Sequence, residues 1–133
     1  MATGAHESGE IIRLPHGEYQ ERHKDDLPAG WLDRVASAVA AVRGRAVGIG
    51  LTLLLYCDMV VVAEDALLSV PFVNLALAPE AASSLLLPAV IGHQRAFELF
   101  ALGEPLDGRT ALAWGIANRA VPADQVEATA AEL

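Results

Sequence analysis

GRAVGIGLTLLLYCD, residues 44–58, decides the fold of this chain. The run VAAV at 39–42 precedes it and predicts a buried strand, because it is short, apolar and partly β-branched. Residues Leu51–Cys57 are apolar on every side, which predicts a helix without a solvent face. The glycines between strand and helix permit a tight turn, since glycine adopts positive φ without strain.

The glycine turn has a chemical consequence as well as a structural one. The first N–H groups of a helix have no acceptor within the helix, and the helix dipole favours negative charge there. A buried helix that begins in this way can stabilise an oxyanion. Close packing of strand against helix is the commoner reason for such glycines, and that interpretation stays open here. The spacing Gly44-x-x-x-Gly48-x-Gly50 fits neither a dinucleotide-binding fingerprint nor a phosphate-binding loop.

A membrane span is a rival interpretation of this region. Residues 46–63 are apolar except for Asp58. An aspartate within a span costs about 2.5–3.5 kcal/mol on insertion scales. The glycines at one end and the β-branched run Val60–Val62 at the other favour a helix followed by a strand.

Composition and charge bound the possible functions. The chain has 133 residues, enough for one domain with a modest core, and 53% of them are hydrophobic. This fraction is high for a small domain and indicates surface that a partner or a further part of the fold covers. The formal net charge of −8 argues against nucleic acids and anionic membranes as partners. The single cysteine, Cys57, is interpreted as a small core residue.

The first thirty residues differ in kind from the rest. Residues 1–30 are polar and punctuated by glycine and proline, so we expect a poorly ordered leader before one domain at 31–133. The leader contains no apolar segment like that of a signal peptide, and we therefore expect a cytoplasmic protein. The spacing of His6, His16 and His23 is too irregular to predict a metal site.

Beyond the central helix, the pattern predicts further strands and helices. We expect strands at 59–63, 67–70 and 116–121, and helices at 79–88, 93–102, 107–115 and from 126 onward. Pro79 and Glu80 suit the first turn of a helix, and Pro88 ends or kinks that helix. In the next helix, Phe97 and Phe100 lie on one apolar stripe with Ala96 and Ala101.

Two segments together carry a resemblance to a known family. Residues 40–72, AAVRGRAVGIGLTLLLYCDMVVVAEDALLSVPF, are similar to the core of the crotonase superfamily, which contains the enoyl-CoA hydratases and isomerases. Residues 92–122, GHQRAFELFALGEPLDGRTALAWGIANRAVP, resemble its downstream helices and final strand. The resemblance covers residues 38–133 and implies an α/β fold of the ClpP/crotonase type, a spiral of β-β-α turns, here incomplete.

The resemblance implies a site for an acyl-CoA thioester, with no cofactor besides the coenzyme A of the substrate. In the superfamily two backbone N–H groups hold the thioester oxygen, and by position one of them is the N–H of Ile49, between Gly48 and Gly50. Hydratases of the superfamily carry glutamates at the positions of Thr52 and Phe72. Neither of these side chains can move a proton near neutral pH, and we expect both in the substrate pocket.

Glu80 is the acidic residue of the implied site. It lies in PFVNLALAPEAASSLLLP, which resembles the Δ3,Δ2-enoyl-CoA isomerase branch, whose base lies in a Pro-Glu followed by small residues and serines. Moving a double bond from C3–C4 to C2–C3 needs one proton removed from C2 and returned at C4, which one carboxylate can do. Apolar neighbours such as Leu75, Leu77 and Leu85 would desolvate Glu80 and strengthen it as a base. We therefore expect Glu80 as the catalytic base, with Leu75 in the substrate pocket.

Other interpretations of these residues stay open. Glu80 can instead be a carboxylate that stabilises a helix dipole. Ser83 and Ser84 with His93 suggest a hydrolase, but no acid at a suitable place completes the triad, and serines early in a helix usually satisfy backbone groups.

The resemblance also implies that parts of the superfamily's fold are missing. Its members are longer, so we expect this chain to be truncated at both ends. Their upstream turns supply the second oxyanion N–H and much of the CoA contact, and their C-terminal helices contribute to a trimer. We expect a homo-oligomer that binds acyl-CoA and neither nucleic acid nor membrane. The alternative function is a non-catalytic remnant that binds acyl-CoA or pairs with another chain.

Overall fold

Two parallel strands of alanine and valine form the centre of the fold. The computed structural model describes residues 2–5, 10–14 and 38–133. β3, Val39–Val42, pairs in parallel with β5, Met59–Ala63. Every residue of the two strands is buried except the half-buried Met59. The continuous apolar runs therefore predicted both strands correctly, as is typical of strands covered on both faces.

The described strands form two sheets. Besides β3 and β5, they are β1 Ala2–Ala5, β2 Glu10–Leu14, β4 Arg45–Val47, β6 Leu67–Ser69, β7 Leu106–Asp107 and β8 Arg119–Val121. The first sheet has the order β1-β2-β3-β5-β8, in which β1, β2 and β3 are antiparallel and β3, β5 and β8 are parallel. The second sheet has the order β4-β6-β7, with β4 and β6 parallel and β7 antiparallel.

The helices connect and cover these sheets. They are α1 Ile49–Leu54, α2 Ser83–Ile91, α3 His93–Leu102, α4 Gly108–Trp114 and α5 Val126–Ala131, with short 3-10 helices at Val73–Leu75 and Ala123–Gln125. The fully buried side chains include Leu51 of α1, Leu68 of β6 and Leu87 of α2, so both sheets and their helices contribute to one core. None of the helices in the described residues is long and apolar enough to cross a membrane.

The helix predicted at 107–115 is confirmed as α4, and both of its ends are capped. The Asp107 carboxylate accepts a hydrogen bond from the N–H of Thr110 at 2.7 Å, and Gly115 ends the helix with φ of 88°. At the start of α4, Gly108 lies so close to β5 that a Cβ would collide with the carbonyl of Ala63. This contact sets the distance between helix and sheet.

The path from β3 to α1 differs from the prediction. The chain does not turn directly from strand to helix, because β4 lies between them and pairs with β6. β4 has only three residues, too few to show a strand pattern in the sequence. α1 is also shorter than predicted and has a solvent face, on which Leu53 is exposed.

The predicted start of α2 is wrong. The helix begins at Ser83, because Ala81 and Ala82 both have φ of 51°, outside the helical region. Pro88 does not end the helix either, which continues to Ile91.

The bounds of α3 are confirmed, but its buried face is not the predicted stripe. Ala96 and Leu99 are buried and Phe100 is half-buried, whereas Phe97 is 64% exposed. The buried face of α3 is therefore centred on Leu99 instead of Phe97, a rotation about the helix axis. Both faces contain apolar residues, so the sequence alone does not distinguish them.

The predicted leader is described in part. β1 and β2 lie within residues 1–30, where we expected no regular structure, and β2 is antiparallel to β3. The prediction that residues 1–30 are poorly ordered stays a prediction. The near-helical spacing of Trp31, Leu32 and Val35 also predicts a short helix before β3. Like all residues between β2 and Ala38, this segment lies outside the described residues.

Candidate functional site

The turn before α1 leaves two backbone donors without acceptors. Gly48 has φ of 59° and donates its N–H to the Ser69 carbonyl at 2.8 Å. The Gly48 carbonyl accepts the N–H groups of Leu51 and Thr52, both at 3.1 Å. Among the described residues, the N–H groups at positions 49 and 50 have no acceptor and α1 has no side-chain cap. Two donors therefore point out of the start of the helix.

Ile49 and Gly50 carry these two N–H groups. The Ile49 side chain is 47% exposed, whereas Gly50 is buried. Ile49 is the first residue of α1, where the helix dipole favours negative charge, and its role as an oxyanion donor stays a prediction.

Thr52 cannot act as an acid or base in this arrangement. Its side chain is fully buried, and its hydroxyl donates a hydrogen bond to the Ile49 carbonyl at 3.3 Å. A threonine that bonds back into its own helix is satisfied locally. Thr52 therefore supports the turn at Ile49 and is not free for a substrate.

Phe72 and Leu75 follow β6 and have opposite environments. Phe72 is buried and its ring stacks on that of Phe100, with 6.4 Å between centroids. Leu75 lies in the 3-10 helix and is 62% exposed. Phe72 is thus part of the core between this loop and α3, while Leu75 faces outward.

Glu80 lies in a turn just before α2 and is exposed. The Ser83 N–H donates to the Glu80 carbonyl at 2.9 Å, which closes a four-residue turn. Both central residues, Ala81 and Ala82, have φ of 51°. This left-handed conformation costs about 1–2 kcal/mol for each residue other than glycine. The turn that carries Glu80 is therefore strained.

Within the described residues, the apolar neighbours of Glu80 do not cover its side chain as predicted. Leu75, Leu77 and Leu85 are each more than half exposed, and Leu85 is the most exposed of them at 72%. These leucines flank Glu80 in the sequence with exposed side chains, and Glu80 itself is exposed.

Tyr56 contacts the Glu80 turn, which the sequence analysis did not predict. It lies just after α1, and its hydroxyl donates a hydrogen bond to the Ala81 carbonyl at 2.6 Å. The two residues are 25 positions apart in the sequence, so no local pattern could have revealed the contact. α1 thus begins at the Ile49 donor and leads at its other end to a contact with the Glu80 turn.

The serines and histidine of the hydrolase interpretation do not form a catalytic group. Ser83 is fully buried, and its Oγ has no hydrogen-bond partner among the described residues. Ser84 is exposed, and the ring of His93 lies against that of Phe97 with 6.1 Å between centroids. No hydrogen bond joins either serine to His93 in the described residues.

A polar group lies at the start of α4, between β5 and β8. The Arg109 guanidinium contacts the Glu64 carboxylate at 2.7 Å, which raises the pKa of Arg109. Hydrogen bonds from the side chain and backbone of Thr110 lower the pKa of Asp107. Both contacts are exposed, so each contributes only modestly to stability. The Asp107–Thr110 bond caps α4, and the Arg109–Glu64 pair joins the helix to the residue after β5.

Comparison with protein families identifies the chain. The model of the enoyl-CoA hydratase/isomerase family matches residues 18–133. This chain belongs to the enoyl-CoA hydratase/isomerase family. The match begins inside the polar segment 1–30, in which we had found no resemblance.

Individual members of the enoyl-CoA hydratase/isomerase family agree with this assignment. The chain is 40% identical over 80 residues to a probable enoyl-CoA hydratase of Bacillus subtilis, covering 60% of this chain and 31% of the relative. It is 38% identical over 95 residues to a mevalonyl-coenzyme A hydratase of Aspergillus fumigatus, covering 71% and 35%.

A solved structure of the enoyl-CoA hydratase/isomerase family confirms the predicted crotonase fold. The enzyme from Pseudoalteromonas atlantica T6c matches with a TM-score of 0.67 and 44% identity, covering 69% of this chain and 37% of that chain. The chain thus spans about a third of the length of the relatives it matches. Most of these relatives are named as hydratases, so the comparison does not assign the chain to the isomerase branch.

Proposed function

We propose that this protein is an acyl-CoA isomerase that converts 3-enoyl-CoA to 2-enoyl-CoA in fatty-acid oxidation. The observation that carries this proposal is the pattern of acids at the site. Thr52 and Phe72 occupy the two positions at which hydratases of the family have glutamates, and both side chains are buried. Glu80 is exposed and lies on a closed turn.

Glu80 and Ile49 have complementary roles in the proposed reaction. The Glu80 carboxylate takes a proton from C2, and the electron pair moves onto the thioester oxygen as a dienolate. The N–H of Ile49 donates to that oxygen. The same carboxyl group then returns the proton to C4, so that the double bond ends conjugated with the thioester.

No further cofactor takes part in this reaction. The shift is neither a net oxidation nor a hydration, and the coenzyme A is part of the substrate. In the proposed assembly a homo-oligomer in the cytoplasm binds acyl-CoA, and no nucleic acid or membrane takes part. The net charge of −8 supports the absence of polyanionic partners.

Glu80→Gln tests the proposal. Glutamine keeps the size and hydrogen bonding of the side chain but cannot accept the C2 proton, so turnover of 3-enoyl-CoA should fall by at least about 10²-fold. Binding of acyl-CoA, measured by calorimetry, should be nearly unchanged. The matched control is Glu104→Gln, which neutralises another exposed carboxylate after α3 and should keep the parent rate.

Two substrates separate the proposed function from its alternatives. The parent should form the conjugated thioester from 3-enoyl-CoA and should not add water to 2-enoyl-CoA. Clear hydration of 2-enoyl-CoA, or an equally fast Glu80→Gln variant, would contradict the isomerase proposal. Binding of acyl-CoA without turnover of either substrate would favour a non-catalytic protein, because losing one oxyanion donor costs about 10²–10³-fold in rate.

A further inference from the structure

The Tyr56 hydroxyl is the one side-chain donor that contacts the Glu80 turn within the described residues. It donates to the Ala81 carbonyl at 2.6 Å, a short O–H···O bond. The other hydrogen bonds of the turn are backbone bonds within residues 80–86: Ser83 N–H to Glu80, and the N–H groups of Leu85 and Leu86 to Ala82. Tyr56 therefore supplies the side-chain hydrogen bond that joins this turn to the end of α1.

The conformation of the turn needs such an attachment. Ala81 and Ala82 both have φ of 51°, and alanine relaxes from this conformation to the right-handed region when nothing holds it. A strained backbone conformation persists only where surrounding contacts hold it, and such conformations are concentrated at functional sites. The Tyr56 bond fixes the peptide between the two strained residues, because the carbonyl it binds belongs to Ala81.

The position of the Glu80 carboxylate depends on this peptide. Glu80 is the residue directly before the strained pair, and its own carbonyl closes the turn. Rotation at Ala81 or Ala82 would break the bond from Ser83 and redirect the Glu80 side chain relative to α1. The residue that binds Ala81 follows the same α1 helix that begins with the Ile49 N–H.

We propose that Tyr56 is a positioning residue for Glu80. Its hydroxyl holds the strained turn and thereby keeps the Glu80 carboxylate at a fixed position relative to the N–H of Ile49. This inference rests on the proposed isomerase function. It assigns to Tyr56 no contact with substrate. Because Tyr56 acts on geometry and not on binding, its loss should lower kcat and leave KM nearly unchanged.

Tyr56→Phe removes the hydroxyl and keeps the ring. The kcat for 3-enoyl-CoA should fall about tenfold with KM within about twofold, since a small misplacement of a catalytic group costs up to about 10²-fold in rate. Tyr56→Phe combined with Ala82→Gly should recover most of the lost kcat, because glycine adopts positive φ without strain. The matched control is Tyr56→Phe with Ala76→Gly, since Ala76 has φ of 55° but lies outside the turn.

Amide exchange tests the turn without any enzyme assay. The Ser83 N–H, which bonds to Glu80, should exchange about tenfold faster in Tyr56→Phe and return toward the parent rate with Ala82→Gly. Unchanged exchange in Tyr56→Phe, or recovery of kcat by Ala76→Gly as well, would overturn the positioning role. A parent that turns over no 3-enoyl-CoA contradicts the proposed function alone, and the exchange rates still decide whether Tyr56 holds the turn.

Discussion

The turn before α1 has its positive φ at a glycine, Gly48, whereas the turn before α2 has it at two alanines, Ala81 and Ala82. Both turns lead into helices that lack a side-chain cap. The turn at Gly48 needs no stabilising contact from elsewhere, because glycine adopts positive φ without strain. The alanines instead need contacts from elsewhere, and Tyr56 supplies one. Positive φ at residues other than glycine is concentrated at functional sites, which supports a functional role for the turn before α2.

The largest effect on stability is expected at the glycine. Gly48→Ala should lower the free energy of unfolding by about 1–3 kcal/mol, because φ of 59° with ψ of −116° is a conformation for glycine. A Cβ at Gly48 would meet no atom within 4 Å, so the loss measures backbone conformation alone. Urea denaturation gives the value. Gly115→Ala, at a left-handed position that alanine tolerates better, should lose less; an equal loss would remove the distinction.

The opposite sign is expected at the alanines. Ala82→Gly should raise the free energy of unfolding by about 1 kcal/mol, because the relief of left-handed strain exceeds the entropy cost of glycine. Ala101→Gly, on the exposed side of α3, is the control and should lower it by about 0.5–1 kcal/mol. Thermal unfolding of both variants checks the difference in sign. Equal destabilisation would mean that the Glu80 turn is not strained.

A smaller gain is expected at the start of α2. Ser83→Ala should raise the free energy of unfolding by about 0.5–1 kcal/mol more than Ser84→Ala, because the buried Ser83 hydroxyl has no partner among the described residues. Ser84 is exposed in the same helical turn, so its replacement measures helix propensity alone. Chemical denaturation of the pair gives the excess. A loss of stability in Ser83→Ala would show that the hydroxyl has a partner in solution.

The smallest effect is expected at α4, which begins with the side-chain cap that α1 and α2 lack. Hydrogen bonds from Thr110 lower the pKa of Asp107 in the folded state. The carboxylate therefore adds stability above its unfolded pKa, and this contribution is lost as the pH falls through the lower folded pKa. Asp107→Asn keeps a capping side chain but does not titrate. Melting temperatures should converge as the pH falls from about 5 to 2; parallel profiles would contradict the assignment.

The sequence predicted the parts of the fold that depend on local pattern. β3, β5 and α3 have the expected bounds because continuous apolar runs and a glycine on each side of α3 determine them. The start of α2 was wrong because alanine is the best helix former, and nothing local shows that Ala81 and Ala82 adopt positive φ.

The candidate site divides in the same way. Ile49 and Glu80 were named from a resemblance over a contiguous stretch, and the structure places them at the starts of α1 and just before α2. Tyr56 was missed because its bond to Ala81 joins residues 25 positions apart. Such a contact depends on how α1 and the loop pack, which no pattern within one segment contains.

The parallel order of β3, β5 and β8 also predicts an order of strand pairing during folding. The contact that begins the β3–β5 pair, from Ala38 to Asp58, closes a loop of 20 residues, whereas that from Val60 to Asn118 on the β8 side closes 58. The longer closure costs about 1 kcal/mol more in chain entropy. From loop entropy we therefore expect β5 to pair with β3 before β8 covers its other edge. Until then the unpaired backbone N–H and C=O groups of the apolar strand β5 can pair with a second chain. Pairing with β8 therefore protects this edge from aggregation.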